Sequence, residues 1–376
     1  MENNFIYLDN ASTTPLSENV LNIINSTYKN YWHNPSSTYE LGIKCSTYLE
    51  KIRSKIAYIF EAEPEDIIFT SGSSESTNIV FNNIYENFKN GRVVISNVEH
   101  QATTICANKL KKQNWDIYEW KVNNDGILNI ANIDKILTND TKLVSIIWGQ
   151  SEIGTIQPVQ FIGSKCEELN IMLHLDGTQI LSNGIFSWKD LKSDFLSLSA
   201  HKFYGPKGVG ILYAKDPKKL SSLIIGGGQE RGLRAGTESI SAIAGMGLAA
   251  EHCAGSLSGK RELLIKLEKR LKSGINKFYK RAIYNGNQFE KLPGLINISF
   301  PKNQSNIMMA KLDRDGIAIS NGPACGSGDV KPSPVLSEIG LDNETNLSSL
   351  RFSFGSTNTG EEVDYLLNKL ELKLRK

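Results

Sequence analysis

The sequence predicts an α/β protein with a parallel β-sheet and two domains. Between about residues 65 and 215, short apolar runs rich in β-forming residues alternate with longer polar or amphipathic stretches. This order is expected of parallel strands joined by crossover helices. The chain has 376 residues, 40% of them hydrophobic, which is more than one hydrophobic core usually organises. We therefore expect a second domain beside the one that contains the sheet.

Six segments are candidate strands, and several of them are continuous apolar runs, as expected of strands buried on both faces. They are residues 67–70, 92–96, 143–148, 171–175, 195–199 and 210–213. The first five are each followed by small, polar or ionisable residues. Because ligands of open α/β sheets bind beyond the carboxyl ends of the strands, we expect these polar clusters to line one pocket.

Two helices are predicted beyond the last of these strands. The apolar stretch 239–252 follows a glycine-rich loop and predicts the first helix. In residues 260–281 the aliphatic side chains fall on one helical face and the lysines and arginines lie elsewhere. This pattern predicts an amphipathic surface helix that opens the second domain.

Composition excludes several classes of protein. Lys+Arg 42 against Asp+Glu 40 gives a formal net charge of +2, too small to indicate direct binding to nucleic acid or to an anionic membrane. No apolar run is long enough to span a bilayer and no secretory signal is recognised, so we expect a cytoplasmic location. The five cysteines form no C-x-x-C pair, which argues against a disulfide framework or a zinc site.

Lys202 is the first candidate catalytic residue. It directly follows a predicted buried strand and lies in a turn containing Pro206 and two glycines. A lysine that forms an imine needs a fixed, partly desolvated position, because its amine must be neutral to attack a carbonyl. The alternative is an ordinary surface lysine, which is the commonest environment of this residue type.

Asp176 and residues 70–76 indicate which cofactor such a lysine would hold. Asp176 ends an apolar strand, where an unpaired carboxylate is costly, and the pyridinium nitrogen of pyridoxal 5'-phosphate (PLP) is a suitable cationic partner. The serines of residues 70–76 lie between a strand and a helix, where hydroxyls and backbone N–H groups can hold a phosphate. Helix capping alone is the alternative explanation of both features.

Cys325 is the candidate nucleophile. It lies in the glycine-rich stretch 320–328, which cannot bury a thiol deeply, whereas free cysteines are usually buried. An exposed thiol on a loop suits a group that must reach a substrate and then a partner protein. An incidental surface cysteine is the alternative.

These segments together resemble the cysteine desulfurases of the NifS and IscS type, PLP enzymes of the class V aminotransferase group with the type I fold. The resemblance runs nearly from end to end of the chain, through residues 7–15, 33–37, 70–76, 99–100, 152–154, 174–179, 199–208, 227–237, 297–300, 320–328 and 350–353. It implies a large domain with a mostly parallel seven-stranded sheet at residues 13–257. A smaller α+β domain would comprise residues 1–12 and 258–376, with the cysteine loop at about 320–332.

The resemblance also implies an activity and a role for each matching residue. Lys202 would hold PLP, Cys325 would carry sulfur from L-cysteine as a persulfide, and Arg351 would pair with the substrate carboxylate through a guanidinium fork. The product would be L-alanine, and a homodimer would pass the sulfur to an acceptor protein. The remaining implied contacts are Asp176 at the pyridine nitrogen, His100 stacked on the ring and acting as a proton donor, Gln179 at the ring hydroxyl, Ser73, Ser74, Ser199 and His201 at the phosphate, Thr237 at the phosphate from the second subunit, Ser151 at both cofactor and substrate, and Asn34 at the substrate.

The chain also departs from the family pattern. Gln150-Ser151 replaces two asparagines, Pro323 stands beside the cysteine, and Ser356 and Tyr39 replace an arginine and a histidine. The alternatives to a desulfurase are another class V PLP enzyme, such as a selenocysteine lyase or an aminotransferase, and a non-catalytic sulfur-transfer scaffold. The acceptor stays open among iron–sulfur assembly, tRNA thiolation and DNA phosphorothioation.

Overall fold

The computed structural model describes residues 5–185, 191–322 and 331–374. Its strands are β1 (Ile6–Tyr7), β2 (Ile67–Thr70), β3 (Arg92–Ser96), β4 (Asp116–Trp120), β5 (Thr141–Ile147), β6 (Met172–Asp176), β7 (Phe195–Ser199), β8 (Gly210–Ala214), β9 (Ile283–Asn285), β10 (Leu295–Ser299), β11 (Ile317–Ala318) and β12 (Ser349–Ser353). Its helices are α1 (Glu18–Asn30), α2 (Glu40–Ile59), α3 (Ser73–Asn87), α4 (Gln101–Lys111), α5 (Ile133–Ile136), α6 (Val159–Glu168), α7 (Ile240–Gly255), α8 (Leu257–Phe278), α9 (Ser305–Asp313), α10 (Pro334–Glu338), α11 (Asn343–Leu347) and α12 (Gly360–Leu374). In these three ranges, no helix has the length and apolar character needed to cross a bilayer.

A seven-stranded sheet organises the larger part of the chain, with the order β2-β8-β7-β6-β5-β3-β4. Neighbouring strands are parallel from β4 to β7, and β8 is antiparallel to both β7 and β2. Only residues 200–209 connect β7 to β8, too few for the crossover that a parallel pair requires. The α/β class with a mostly parallel sheet is confirmed.

The six predicted strands are all present, with ends shifted by at most two residues. The edge strand β4 was missed because it lacks the apolar run that marks the others: Asp116 and Glu119 are both exposed, and only Trp120 is buried. β4 pairs with β3 alone. An edge strand that is half solvated does not have to be apolar, so hydrophobic pattern alone does not reveal it.

Alternate residues of the central strands face two hydrophobic cores. Val94, Val144 and Leu173 point to the face covered by α2 and α7, whereas Val93 and Leu143 point to the face covered by α3 and α4. The sheet is therefore a middle layer with helices on both sides. The predicted apolar helix at 239–252 is α7, which packs against α1 and α2.

A separate core lies around the antiparallel sheet β12-β10-β9. Its side chains come from both ends of the chain, since Leu8 packs there with residues of α8 and α12. The predicted amphipathic helix at 260–281 is α8, and its leucine face is buried as expected. On the same helix Lys260 and Glu268 are also buried, which the pattern did not predict.

A buried ion pair fixes the loop between β8 and α7. The guanidinium of Arg53 on α2 donates to both carboxylate oxygens of Glu230, at 2.8 and 2.7 Å, and to the carbonyl oxygen of Ile67 at 2.7 Å. The backbone N–H of Phe69 also donates to Glu230, at 2.8 Å. Glu230 holds a left-handed backbone conformation with φ 47°, so these contacts stabilise a strained loop.

We predict that Glu230→Ala lowers the free energy of unfolding by about 3–5 kcal/mol, because it removes the buried partner of Arg53 and leaves only the half-exposed Glu50 beside that buried charge. Denaturant unfolding of the purified protein measures the change. Glu251→Ala is the matched control: it removes another ion pair with α2, but both side chains of the Lys55–Glu251 pair are half exposed. The control should cost less than about 1 kcal/mol, and equal losses in the two variants would contradict the prediction.

Candidate active site

The Lys202 side chain is placed by the tight turn Ala200–Lys202 that follows β7. Lys202 is half-buried, and its Nζ donates to two backbone carbonyls, of Ala11 at 2.7 Å and of Ser12 at 2.9 Å. The next residue, Phe203, is fully buried and anchors the turn in the core. The position is therefore fixed and partly desolvated, as an imine-forming lysine requires.

Residues 9–14, here called the N-terminal strap, cross the carboxyl end of the central sheet. The strap leaves the small antiparallel sheet at Asp9, which bridges to Ser353 of β12, and the N–H of Thr14 then donates to the carbonyl of His201 at 2.8 Å. Gln179 donates to the strap at the carbonyl of Ala11, at 2.8 Å. The strap thus joins the ends of β6, β7 and β12 at one place.

Arg351 of β12 approaches the same strap from the other core. It is 3% exposed, and its Nη2 donates to Asp9 Oδ1 and to Ser12 Oγ, both at 2.7 Å. Its Nη1 donates to the carbonyl of Ser151 at 3.0 Å. The buried Nε has no hydrogen-bond partner within the described chain. Lys202 and Arg351, the two cationic side chains of the predicted site, therefore share Ser12 as a neighbour.

Asp176 lies at the end of β6 and is 5% exposed. Its Oδ1 accepts from the backbone N–H and the hydroxyl of Thr178, the turn contact that helix capping would also explain. Among the residues that the structure describes, no donor reaches Oδ2. A nearly buried carboxylate with one unpaired oxygen needs a cationic or N–H partner, so this oxygen is available to a ligand.

Two further buried titratable groups adjoin Asp176. The Oε1 of Glu99 accepts two hydrogen bonds, one from Ser96 Oγ and one of 2.8 Å from the N–H of Ile147. Its Oε2 is buried and has no partner in the described ranges. Burial, with a smaller effect of the Asp176 charge, raises the pKa of Glu99 to about 8. Glu99 is therefore mostly protonated at neutral pH. Sequence reasoning included it in a motif without giving it a role.

His174 lies on β6, two residues before Asp176. Its Nδ1 and Nε2 each lie 2.8 Å from a serine hydroxyl, of Ser145 on β5 and Ser197 on β7. Burial lowers the pKa of His174, so its ring is neutral at pH 7. The three side chains form a polar row across the buried centre of the sheet, which keeps the strands that carry the site in register.

The loop before α3 forms a narrow cradle at the sheet end. The N–H of Ser73 donates to Ser199 Oγ at 2.8 Å. A Cβ on Gly72 would lie 3.1 Å from that hydroxyl, and one on Gly210 would lie 2.5 Å from the Cα of Gly72. Only glycines allow this approach of backbone to hydroxyl. Ser73 is buried at the helix start, whereas Ser74 is exposed beside it.

The histidines of the predicted site differ in exposure. His100 is an exposed residue that precedes α4, and its Nδ1 accepts from the N–H of Ala102 at 3.2 Å. His201 is half-buried, with Nδ1 3.2 Å from Thr13 Oγ1. Burial and the positive charges of Lys202 and Lys207 lower the pKa of His201 to about 4. His201 is therefore a neutral hydrogen-bonding group at pH 7.

The residues Gln150 to Glu152 form a buried turn against the small sheet. Gln150 is 1% exposed, and its Oε1 accepts from two backbone N–H groups of the turn while its Nε2 donates to Val98. Gln150 therefore builds the turn that presents Ser151 to Arg351. The carboxylate of Glu152 accepts from Ser333 Oγ at 2.6 Å.

Described contacts do not bring every predicted residue into this cluster: His100 and Ser74 contact only residues at the starts of their own helices. Asn34 is exposed and accepts from the N–H of Ser36, and Thr237 is exposed after the glycine-rich loop. Cys325 lies outside the described residues. Its neighbours in sequence are placed, however: Ser320 pairs with Arg351 through two backbone hydrogen bonds, of 3.2 and 2.6 Å. The roles of Asn34, Thr237 and Cys325 stay predictions.

This chain belongs to the class V aminotransferase family, whose model matches residues 6–366. Within it, the chain is similar to cysteine desulfurases: it is 38% identical to cysteine desulfurase IscS of Clostridium botulinum strain Hall, over 98% of this chain and 94% of that protein. A solved NifS-like protein superposes with a TM-score of 0.92 at 32% identity, over 98% and 99% of the two chains. The structure of SspA in complex with cysteine gives 0.82 at 29% identity, over 94% and 100%.

Enzymes of this family use PLP, and the described residues fit that group. Lys202 is held at the sheet end with its amine toward the strap. The Oδ2 of Asp176, which receives no hydrogen bond from the described residues, can accept from a protonated ring nitrogen. The cradle of Gly72, Ser73 and Ser199 presents a helix start and hydroxyls to an anion. When bound, the cofactor supplies an electron sink for charge released at the substrate's α-carbon.

We predict that Lys202→Ala abolishes covalent attachment of PLP. After borohydride reduction, mass spectrometry of the wild-type protein should show one added pyridoxyl phosphate group on the peptide that contains Lys202. Lys207→Ala is the control, since Lys207 is an exposed lysine five residues further along, and it should be labelled like the wild type. Labelling of Lys202→Ala at another lysine would refute the assignment.

Glu99 generates a pH-dependent prediction. Its pKa is about 8 in the folded protein against 4.5 for an unperturbed glutamate, so the folded state binds the proton more tightly. Stabilisation from this proton is present below pH 4.5 and is lost as pH rises toward 8. Glu99→Gln keeps an acceptor at Oε1 without titrating. The unfolding free energy of the variant relative to wild type should rise between pH 5 and pH 8, because only wild type loses stabilisation over this range; parallel pH profiles would contradict this.

Proposed function

We propose that this chain is a PLP-dependent cysteine desulfurase, which removes sulfur from L-cysteine, releases L-alanine and holds the sulfur as a persulfide on Cys325. The observation that carries the proposal is the placement of Arg351. This buried guanidinium lies beside the strap that contacts Lys202, and it pairs through its backbone with Ser320, five residues before Cys325. An amino-acid substrate held by its carboxylate at Arg351 would therefore lie near both the strap that holds Lys202 and Ser320, from which the chain leads to Cys325.

Each chain residue has a distinct task in this reaction. Arg351 orients the substrate carboxylate, and the Lys202 amine takes the proton from the α-carbon. The Cys325 thiolate then attacks the substrate sulfur, so that a sulfur–sulfur bond forms while the carbon–sulfur bond breaks. His100, exposed at the start of α4, returns a proton, and alanine leaves. Cysteine plus the enzyme thiol thus become alanine plus the enzyme persulfide, with no external oxidant.

The remaining predicted residues hold the cofactor and the substrate. Asp176 would hold the ring nitrogen, His100 would stack on the ring, and Gln179, whose Nε2 also donates to Ala11, would hold the ring hydroxyl. The phosphate is held by residues that meet at the cradle or beside it: Ser73, Ser74, Ser199 and His201. Asn34 and Ser151 contact the substrate. The large domain is assigned to residues 13–257 and the small domain to residues 1–12 and 258–376.

The working unit is a homodimer that receives Thr237 from the second subunit at the phosphate. Two features support this. Thr237 is exposed and makes no described contact with its own cradle, and large apolar side chains are exposed along α1 and the start of α2. Those side chains are Leu16, Leu21, Tyr28, Trp32, Tyr39, Leu41 and Ile43, each at least 41% exposed. Such a concentration marks a protein–protein interface.

The persulfide is passed to a sulfur-acceptor protein, as in iron–sulfur assembly, and we place the reaction in the cytoplasm. Four cysteines are buried free thiols, which is usual in a reducing compartment. A persulfide on a loop thiol is a reversible carrier that thiol exchange can unload.

We predict that Cys325→Ala abolishes sulfide release from L-cysteine in the presence of a thiol reductant, while PLP stays bound. Sulfide and alanine are quantified together, and cofactor is followed by its visible absorbance. Cys106→Ala is the control. Cys106 is buried within α4 and does not lie on a loop, so this variant should retain activity. Undiminished sulfide release by Cys325→Ala would remove this residue from the mechanism; pyruvate or a keto acid instead of alanine would indicate a different class V reaction.

A further inference from the structure

The guanidinium of Arg351 is already occupied by groups of the chain itself. Nη2 donates one hydrogen to Asp9 and the other to Ser12, each over 2.7 Å. Nη1 donates to the carbonyl of Ser151. Of the three guanidinium nitrogens, Nε is the one that finds no hydrogen-bond partner among the described residues. A substrate carboxylate therefore does not meet an empty cation at this position.

The geometry of a guanidinium restricts how a carboxylate can bind to it. A carboxylate that accepts two parallel hydrogen bonds uses either the Nε and Nη2 hydrogens or one hydrogen from each of Nη1 and Nη2. Both forks need a hydrogen of Nη2. Both Nη2 hydrogens are already donated to residues of the strap, Asp9 and Ser12. Bidentate binding at Arg351 therefore requires Asp9 or Ser12 to give up its contact.

Charge indicates that Asp9 is the group that matters. Ser12 Oγ is neutral and can remain near a bound carboxylate as a donor, whereas Asp9 would place a second negative charge on the same guanidinium. The side chain of Arg351 is 4% exposed and that of Asp9 is 20% exposed, so Asp9 has a route toward solvent. The unsatisfied Nε indicates that the guanidinium still lacks one acceptor, which a carboxylate at the Nε–Nη2 fork would provide.

We propose that Asp9 is a positioning residue that stands in for the substrate carboxylate on Arg351 and must be displaced when an amino acid binds. Asp9 keeps the buried guanidinium paired and oriented while substrate is absent, and it sets the affinity for carboxylate-bearing ligands by competition. The inference rests on the proposed function, since it takes Arg351 as the carboxylate site. The inference adds that Asp9 weakens the binding of the substrate by competing with its carboxylate for Arg351.

The test compares Asp9→Asn with the wild-type holoenzyme. The amide keeps the shape of Asp9 and removes its charge, so we expect the KM for L-cysteine to fall about five- to tenfold with kcat within about twofold, which corresponds to at most about 1.4 kcal/mol. Calorimetric titration with L-alanine gives a second readout, with the same gain in affinity. L-alaninamide, which has a neutral amide in place of the carboxylate, should bind both proteins equally.

Two matched variants separate competition from a general charge effect. Asp364→Asn also removes an aspartate from an arginine, Arg270, on the exposed surface between α8 and α12, and it should change neither affinity. Ser12→Ala removes the other Nη2 contact without changing a charge, so its effect on the affinity for L-alanine should be smaller than that of Asp9→Asn. Thermal unfolding of each variant checks that the fold is intact.

The inference is overturned if Asp9→Asn leaves the L-alanine affinity unchanged or weakens it while the protein stays folded, because Asp9 would then orient Arg351 rather than compete. Failure of the proposed function looks different. A wild-type protein that releases no sulfide from cysteine, yet binds L-alanine more tightly after Asp9→Asn, would sink the desulfurase assignment and leave the competition standing. Sulfide release by the wild type, with no effect of Asp9→Asn on affinity, would support the desulfurase assignment and refute the competition by Asp9.

Discussion

The hydrogen bonds between the N-terminal strap and two cationic side chains are the contacts on which the site depends. Lys202 lies at the end of the large parallel sheet and Arg351 lies in the small antiparallel sheet, and the strap contacts both side chains. Backbone carbonyls of the strap hold the amine, and Asp9 with Ser12 holds the guanidinium. A shift of the strap would therefore move both charged groups relative to the space between them, and a loss of about 1 Å in such placement is costly for catalysis.

Beneath these cations the sheet has an unusually polar interior. The row of His174 between two serines, the protonated Glu99 and the nearly buried Asp176 lie within a few residues of the strand ends. Burial keeps His174 and Glu99 neutral at pH 7. These two titratable neighbours therefore offer Asp176 no ion pair, and one of its oxygens receives no hydrogen bond from the described residues.

The sequence was sufficient for much of this architecture because the relevant signals are local. Apolar runs ending in polar residues located six of the seven strands of the main sheet. The expectation that ligands bind beyond the carboxyl ends of strands indicated Lys202, Asp176 and Ser199. The polar edge strand β4 carries no such run and was missed. The antiparallel direction of β8 depends on the length of its connection to β7, which pattern matching did not weigh.

Contacts between distant parts of the chain could not be predicted in the same way. Residues 9–14 belong to a recognisable motif, but nothing in their own sequence indicates that Ala11 accepts from a lysine 191 positions away or that Asp9 pairs with Arg351. The sequence showed Gln150 only as a departure from the family pattern, whereas its side chain accepts from two backbone N–H groups of the turn that it builds. In each case the partner is chosen by tertiary packing, which residue type alone does not encode.

The pairing of Asp9 with Arg351 also has a consequence for how the protein matures. These residues are 342 positions apart, so a ribosome adding about 5–20 residues per second needs on the order of tens of seconds after making Asp9 before its partner exists. Until then the strap has no counter-ion, and the loop that closes it spans almost the whole chain, which makes it a slow step in folding. The large sheet can form during synthesis, whereas competence to receive an amino acid arises only after the last strand has been added.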